Sequence, residues 1–145
     1  MPLRINTYSL FRISIISVIF FQSVLLQAQN LVLNPSFEDT VQCPTNLDQL
    51  SLAVGWYKPT GASSDYFNKC NINGMVDVPQ NGFGSENPKT GDAYAGIYTF
   101  SKSYPGGSYR EYIQAKLTDT LIAGYKYSVS FYANLADSSQ YACNN

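Results

Sequence analysis

The sequence contains no histidine. That absence removes the commonest general base, the usual partner of a serine or cysteine nucleophile, and the commonest zinc ligand. Charge is scarce as well: nine Lys and Arg stand against ten Asp and Glu, 13% of 145 residues. The basic residues form no cluster, so the chain offers no electrostatic footprint for nucleic acid. No Gly-x-Ser-x-Gly elbow occurs, and Cys70 as a nucleophile would lack its usual base. Asp65, Asp92 and Glu111 have the chemistry of a glycosidase pair, which needs only two carboxylates about 5–9.5 Å apart. Nothing in their spacing forces them together, and ordinary surface acids are the simpler reading. The residue types point away from an enzyme.

Long apolar runs are nearly missing too. The one that exists lies at residues 13–21, after Arg4 and Arg12, and before a polar break and the small residue Ala28. A basic start, a short apolar core and a small residue at the cleavage point are the anatomy of a signal peptide. The core is shorter than the roughly 20 residues a membrane-spanning helix needs. Cleavage after Ala28 is expected, with an uncleaved anchor as the alternative. Residues 1–28 are therefore read as a signal peptide, and the mature chain as having no membrane span. Loss of two arginines moves the formal charge from -1 to -3. Residues 29–145 are uniform in composition and long enough for one domain with a real core.

Cysteine is rare, with Cys43, Cys70 and Cys143 as the whole set. Export to an oxidising compartment permits a disulfide, and Cys43 and Cys70 both lie in loop-like sequence. Pairing them would stabilise the fold by about 3–4 kcal/mol on the chain-entropy argument. Cys143 is left over and needs a partner elsewhere.

What is plentiful is aromatic surface, 14% of residues, including twelve tyrosines. The hydrophobic period is two rather than 3.6, so strands are expected. Residues 125–135 alternate Tyr125, Tyr127, Val129, Phe131, Ala133 and Leu135 with mostly polar positions, the pattern of a half-buried antiparallel strand. Residues 110–117 repeat it: Ile113, Ala115 and Leu117 share one face, Tyr112, Gln114 and Lys116 the other. Residues 93–100 and 31–33 are further strands, and Leu52, Val54 and Trp56 alternate too. Residues 46–53 have room for one helical turn. Asn73-Gly74, Asn81-Gly82 and Gly106-Gly107 mark loops, and the long connection at 77–92 has the character of a ligand-facing loop. About five strands can be assigned, where a jelly roll uses eight. The chain is therefore expected to be the front piece of a longer protein, with downstream domains in the same chain.

Several segments together resemble galactose-binding-like carbohydrate-binding modules. These are residues 30–38 with Asn34, Pro35, Phe37 and Glu38; Gly55-Trp56-Tyr57; residues 90–96; and the stretch from Tyr112 through Leu117 to Phe131. With Cys43-Pro44 and residues 67–70, the chain looks like the N-terminal domain of secreted, outer-membrane-associated proteins of gliding bacteria. The resemblance implies an all-β, jelly-roll-like antiparallel β-sandwich, incomplete at its C-terminal strands, in a secreted or cell-envelope protein. It also implies a structural calcium near the first strand in the full-length protein, with Glu38 as the matching carboxylate, oxygens added by the loop at Gly91-Asp92, and the set completed by an acidic residue of a last strand not present here. A solvated or hydrogen-bonded carboxylate is the other reading of Glu38.

Sugar recognition stacks a pyranose face on an aromatic ring and fixes hydroxyls with amides and carboxylates. Trp56, Tyr57, Tyr66, Tyr104 and Tyr109 lie in or beside loops and are the candidate ligand-binding residues, with a core position as the alternative for Trp56. The expectation is a non-catalytic module that binds carbohydrate or another envelope polymer. A structural or adhesion domain of a larger surface protein is the alternative, and an accessory domain of a secreted hydrolase a further one.

Overall fold

The computed structural model describes residues 29–72, 74–104 and 107–139, with the backbone alone for Ser103 and Tyr104. The expected signal peptide and Cys143 lie outside the described residues. Within them the structure is all-β apart from one short 3-10 turn at Leu50–Leu52. Eight short strands form four two-stranded antiparallel pairs. No helix among the described residues is long and apolar enough to cross a membrane.

The centre is the pair of β2 (Asp65–Asn68) and β5 (Ala93–Gly96). All four residues of β2 are buried. Antiparallel register sets Tyr66 opposite Ala95 and Phe67 opposite Tyr94. Because successive side chains leave a strand on opposite faces, Tyr66 and Phe67 seed two separate cores. Tyr66 packs with Ala53 and Ala93, and Phe37, Leu52 and Trp56 close over them. Phe67 packs with Val76 and Val78 beneath Leu47, Phe83 and Tyr94. The Phe67 ring stacks on Tyr94 with centroids 5.0 Å apart and meets Phe83 edge-on at 6.0 Å. It also fills the space beside Gly96, where an added Cβ would come within 2.6 Å of Phe67 Cε2.

Two small hairpins flank this centre. β3 (Gln80–Asn81) and β4 (Gly84–Ser85) join across Gly82 and Phe83, with Asn81 opposite Gly84. β6 (Ser101–Tyr104) pairs with β7 (Gly107–Tyr109) through an irregular register. The fourth pair is β1 (Trp56–Tyr57) with β8 (Gln114–Ala115). It continues through an isolated bridge between Val32 and Leu117. The strand expected at 31–33 is thus a single bridge, and the one expected at 93–100 stops at Gly96. The connection at 77–92, expected as one long loop, contains the β3–β4 hairpin.

The strand expected at 125–135 does not form. Its side chains are exposed throughout, and no backbone ladder runs along it. Alternation provides two faces, but a strand also needs a neighbour for its N–H and C=O groups. Among the described residues no strand pairs with it. The end of this segment instead reaches the β3–β4 hairpin: Lys89 sits over the Tyr132 ring, Asn134 hydrogen-bonds Glu86, and the Asp137 carboxylate accepts the Ser85 N–H at 2.9 Å.

A disulfide joins Cys43 to Cys70 across 27 residues. The adjoining Asn71 Nδ2 donates to the Pro44 carbonyl at 2.8 Å. Together they fasten the loop before the 3-10 turn to the end of β2.

Candidate ligand-binding face

The β1–β8 ribbon has two unlike sides. Directly opposed residues of an antiparallel pair share a face, so Trp56 and Ala115 share one and Tyr57 and Gln114 the other. The first side is internal. Trp56 stacks on Phe37 with ring centroids 4.5 Å apart, and its indole N–H donates to the Asn34 carbonyl at 2.8 Å. Ile113, Ala115 and Leu117 follow it inward as half-buried residues. Tyr112, Gln114 and Lys116 point the other way and are exposed. The outer side therefore carries Tyr57, 42% exposed, opposite Gln114, with Tyr112, 48% exposed, two residues before Gln114 in the chain.

The backbone beneath Tyr112 is held from below. Fully buried Ser64 donates its hydroxyl to the Tyr112 carbonyl at 2.9 Å. Glu111, 2% exposed, is turned inward. Its Oε1 accepts the Ser63 hydroxyl at 2.8 Å and the Tyr109 hydroxyl at 2.9 Å, and its Oε2 accepts the Tyr98 N–H at 2.8 Å. Two rings around an amide, on a backbone fixed by buried hydroxyl and carboxylate contacts, can stack a flat apolar face and hydrogen-bond its polar edge.

The sequence-derived residues divide differently from expectation. Tyr57 is on the face. Trp56 takes its core alternative. Tyr66 is a correction: it is 0% exposed, its hydroxyl donates to the Phe37 carbonyl at 2.8 Å, and it accepts Asn68 Nδ2 at 2.8 Å. A ring with no exposed surface has none to offer a ligand. Tyr109 is half-buried, with its hydroxyl shared between Ser63 and Glu111. The Tyr104 side chain lies outside the described residues. Tyr112 and Gln114 were legible only as outward positions of an alternating strand. What promotes them is the register that brings Tyr57 alongside.

Glu38 and Asp92 do come together, but through N–H donors. Glu38 Oε1 accepts the N–H groups of Asp92 at 3.0 Å and Ala93 at 3.1 Å, and Oε2 also accepts that of Asp92 at 3.1 Å. The Asp92 carboxylate pairs with Lys69 at 3.3 Å on the exposed surface. A cation needs further oxygens around it, whereas the groups converging on Glu38 are amide hydrogens. The hydrogen-bonded reading of Glu38 fits this arrangement. No group of three His, Cys, Asp or Glu side chains among the described residues is placed to hold a metal.

The remaining acids named as a catalytic option are internal. Asp65 is 4% exposed and accepts the Asp48 N–H at 2.7 Å. Burial pushes its carboxyl up to about 6, and the nearby Glu111 and Asp48 charges add to the rise. Like Glu111 it is covered by its surroundings.

No family model matches the chain, and no curated protein or solved structure matches it.

Proposed function

We propose that this chain is a non-catalytic carbohydrate-binding module of an exported, envelope-associated protein, built on a jelly-roll-like β-sandwich. The observation that carries the reading is the outer side of the β1–β8 ribbon, where Tyr57 and Tyr112 flank Gln114 on a backbone held by Ser64 and Glu111. Tyrosine gives a large contact area with few rotatable bonds, and an amide both donates and accepts to hydroxyls. The Cys43–Cys70 disulfide is consistent with an oxidising compartment, as the signal-peptide reading of residues 1–28 requires. The four antiparallel pairs around two aromatic cores fit a sandwich, and the absence of histidine with the covering of Asp65 and Glu111 fits a module without catalysis.

Affinity electrophoresis through gels containing soluble polysaccharides tests it. Retardation of the wild type, lost in Tyr57→Ala and Tyr112→Ala variants that keep the wild-type circular dichroism spectrum, is the expected result. Unretarded wild type on every polysaccharide would turn the assignment to a structural or adhesion domain.

A further inference from the structure

The outer face of the β1–β8 ribbon carries a cation as well as its rings. Tyr112, Gln114 and Lys116 occupy alternate positions of the chain running through β8, and all three are exposed. At ~3.3 Å per residue the row from Tyr112 to Lys116 spans about 13 Å. Tyr57 lies across from Gln114, in the middle of the row.

The other charges near this row are already engaged. Lys58, next to Tyr57, pairs with Asp48. Glu111, next to Tyr112, is buried under hydrogen bonds from Ser63, Tyr109 and Tyr98. Asp119, beyond the end of the row, folds its carboxylate back onto the Thr120 N–H at 2.7 Å. Elsewhere Lys69 pairs with Asp92, while Lys89 and Arg110 lie over the rings of Tyr132 and Phe100. Lys116 makes no ion pair among the described residues. The chain as a whole is slightly acidic, and Lys116 sets an exposed positive charge at the end of the aromatic row.

We infer that this face takes an acidic polysaccharide, one carrying uronate carboxylates, with the sugar faces on Tyr57 and Tyr112, hydroxyls on Gln114 and a carboxylate on Lys116. The inference rests on the carbohydrate-binding reading above and names the substrate class of the same face. A lysine ammonium is a compact, flexible point charge and suits a single carboxylate on a mobile chain. Being solvent-exposed, the contact is modest and weakened by salt.

Isothermal titration with oligogalacturonate and with a neutral galactan oligomer of equal length separates the cases. The wild type should bind the uronate oligomer several-fold more tightly at low salt, and the difference should shrink as sodium chloride is raised. Lys116→Gln should weaken uronate binding by about two- to fivefold, the scale of an exposed ion pair, and leave neutral binding where it was. Equal wild-type affinity for the two oligomers, or a Lys116→Gln variant that keeps the preference, overturns the inference while leaving the carbohydrate reading standing. Binding to neither oligomer, with neutral and acidic panels alike unbound, overturns both.

Discussion

The Asp65 carboxylate accepts the backbone N–H of Asp48 at 2.7 Å, tying β2 to a residue held at a φ of 65°. The same contact keeps an acid inside the protein, and burial, then the neighbouring Glu111 and Asp48, lift its pKa to about 6. Below the ordinary carboxylate range Asp65 is neutral in both folded and unfolded chains. Between there and pH 6 the unfolded chain gives up its proton while the folded one retains it, so this group lowers stability as pH rises through that window. Asp65→Asn keeps an oxygen for Asp48 and has no charge to bury. It should be more stable than wild type by about 1–3 kcal/mol near neutral pH, with the gap closing toward pH 4. Urea unfolding at the two pH values measures this, and a gap of the same size at both would contradict it.

Tyr66→Phe separates packing from ligand contact. The variant removes a hydroxyl that joins the Phe37 carbonyl to Asn68 Nδ2 inside the core. The expected loss is about 1–3 kcal/mol of stability, with the Asn68 amide left short of a partner. Polysaccharide retardation should be unchanged at temperatures where the variant is folded. A binding defect at full stability would return Tyr66 to the ligand.

Glu38 and Gly91 form one joint. Gly91 has a φ of 69°, and a Cβ there would lie 2.3 Å from the Glu38 carboxylate. Glu38→Ala strands the N–H groups of Asp92 and Ala93, and Gly91→Ala drives Glu38 off them. Each should cost about 1–3 kcal/mol, and the double variant less than the sum, because both break the same contact. Millimolar calcium should leave the thermal midpoint of the wild type unchanged. A rise that disappears in Glu38→Gln would show Glu38 to be a metal ligand.

The Cys43–Cys70 disulfide closes a separation of 27 residues. Cys43→Ser with Cys70→Ser should lower stability by about 3–4 kcal/mol if restriction of the unfolded chain dominates. Denaturation of the double variant beside oxidised wild type checks it. A loss well under 1 kcal/mol would place the fastening of that loop in the Asn71–Pro44 hydrogen bond instead.

Alternation was a good guide where one face of a strand is covered and the other wet. Residues 112–117 follow it position by position. It was silent at Asp65–Asn68, the most buried strand, because Tyr66 and Phe67 each have a core of their own and a strand covered on both faces shows no alternation. It misled at 125–135, where the pattern is strong but no neighbouring strand receives the backbone. Asn81-Gly82 marks a loop in the sequence, and the same dipeptide between short strands is also a hairpin signal, the form it takes between β3 and β4. The segment with Asn34, Phe37 and Glu38 carries part of the family resemblance and follows the strand expected at 31–33. Its actual work is as a hub: Asn34 Nδ2 donates to the carbonyls of Asp39 and Val54, and its Oδ1 accepts the Asp39 N–H. Such long-range wiring leaves no periodic trace. Of the candidate site, Tyr57 was visible as an aromatic beside a loop, whereas its company with Tyr112 and Gln114 depends on register, which only the folded chain supplies.

The hub has a consequence for the order in which the molecule can assemble. Around it some partners are near and some far: Asn34 is met within 5 and 20 positions, whereas Glu38 is anchored by residues 54 and 55 positions further on, and the Leu31 carbonyl by Thr118, 87 positions away. A polypeptide that emerges first end first can close the Asn34 contacts early, but Glu38 and Leu31 meet their partners only after residues 92, 93 and 118 have followed.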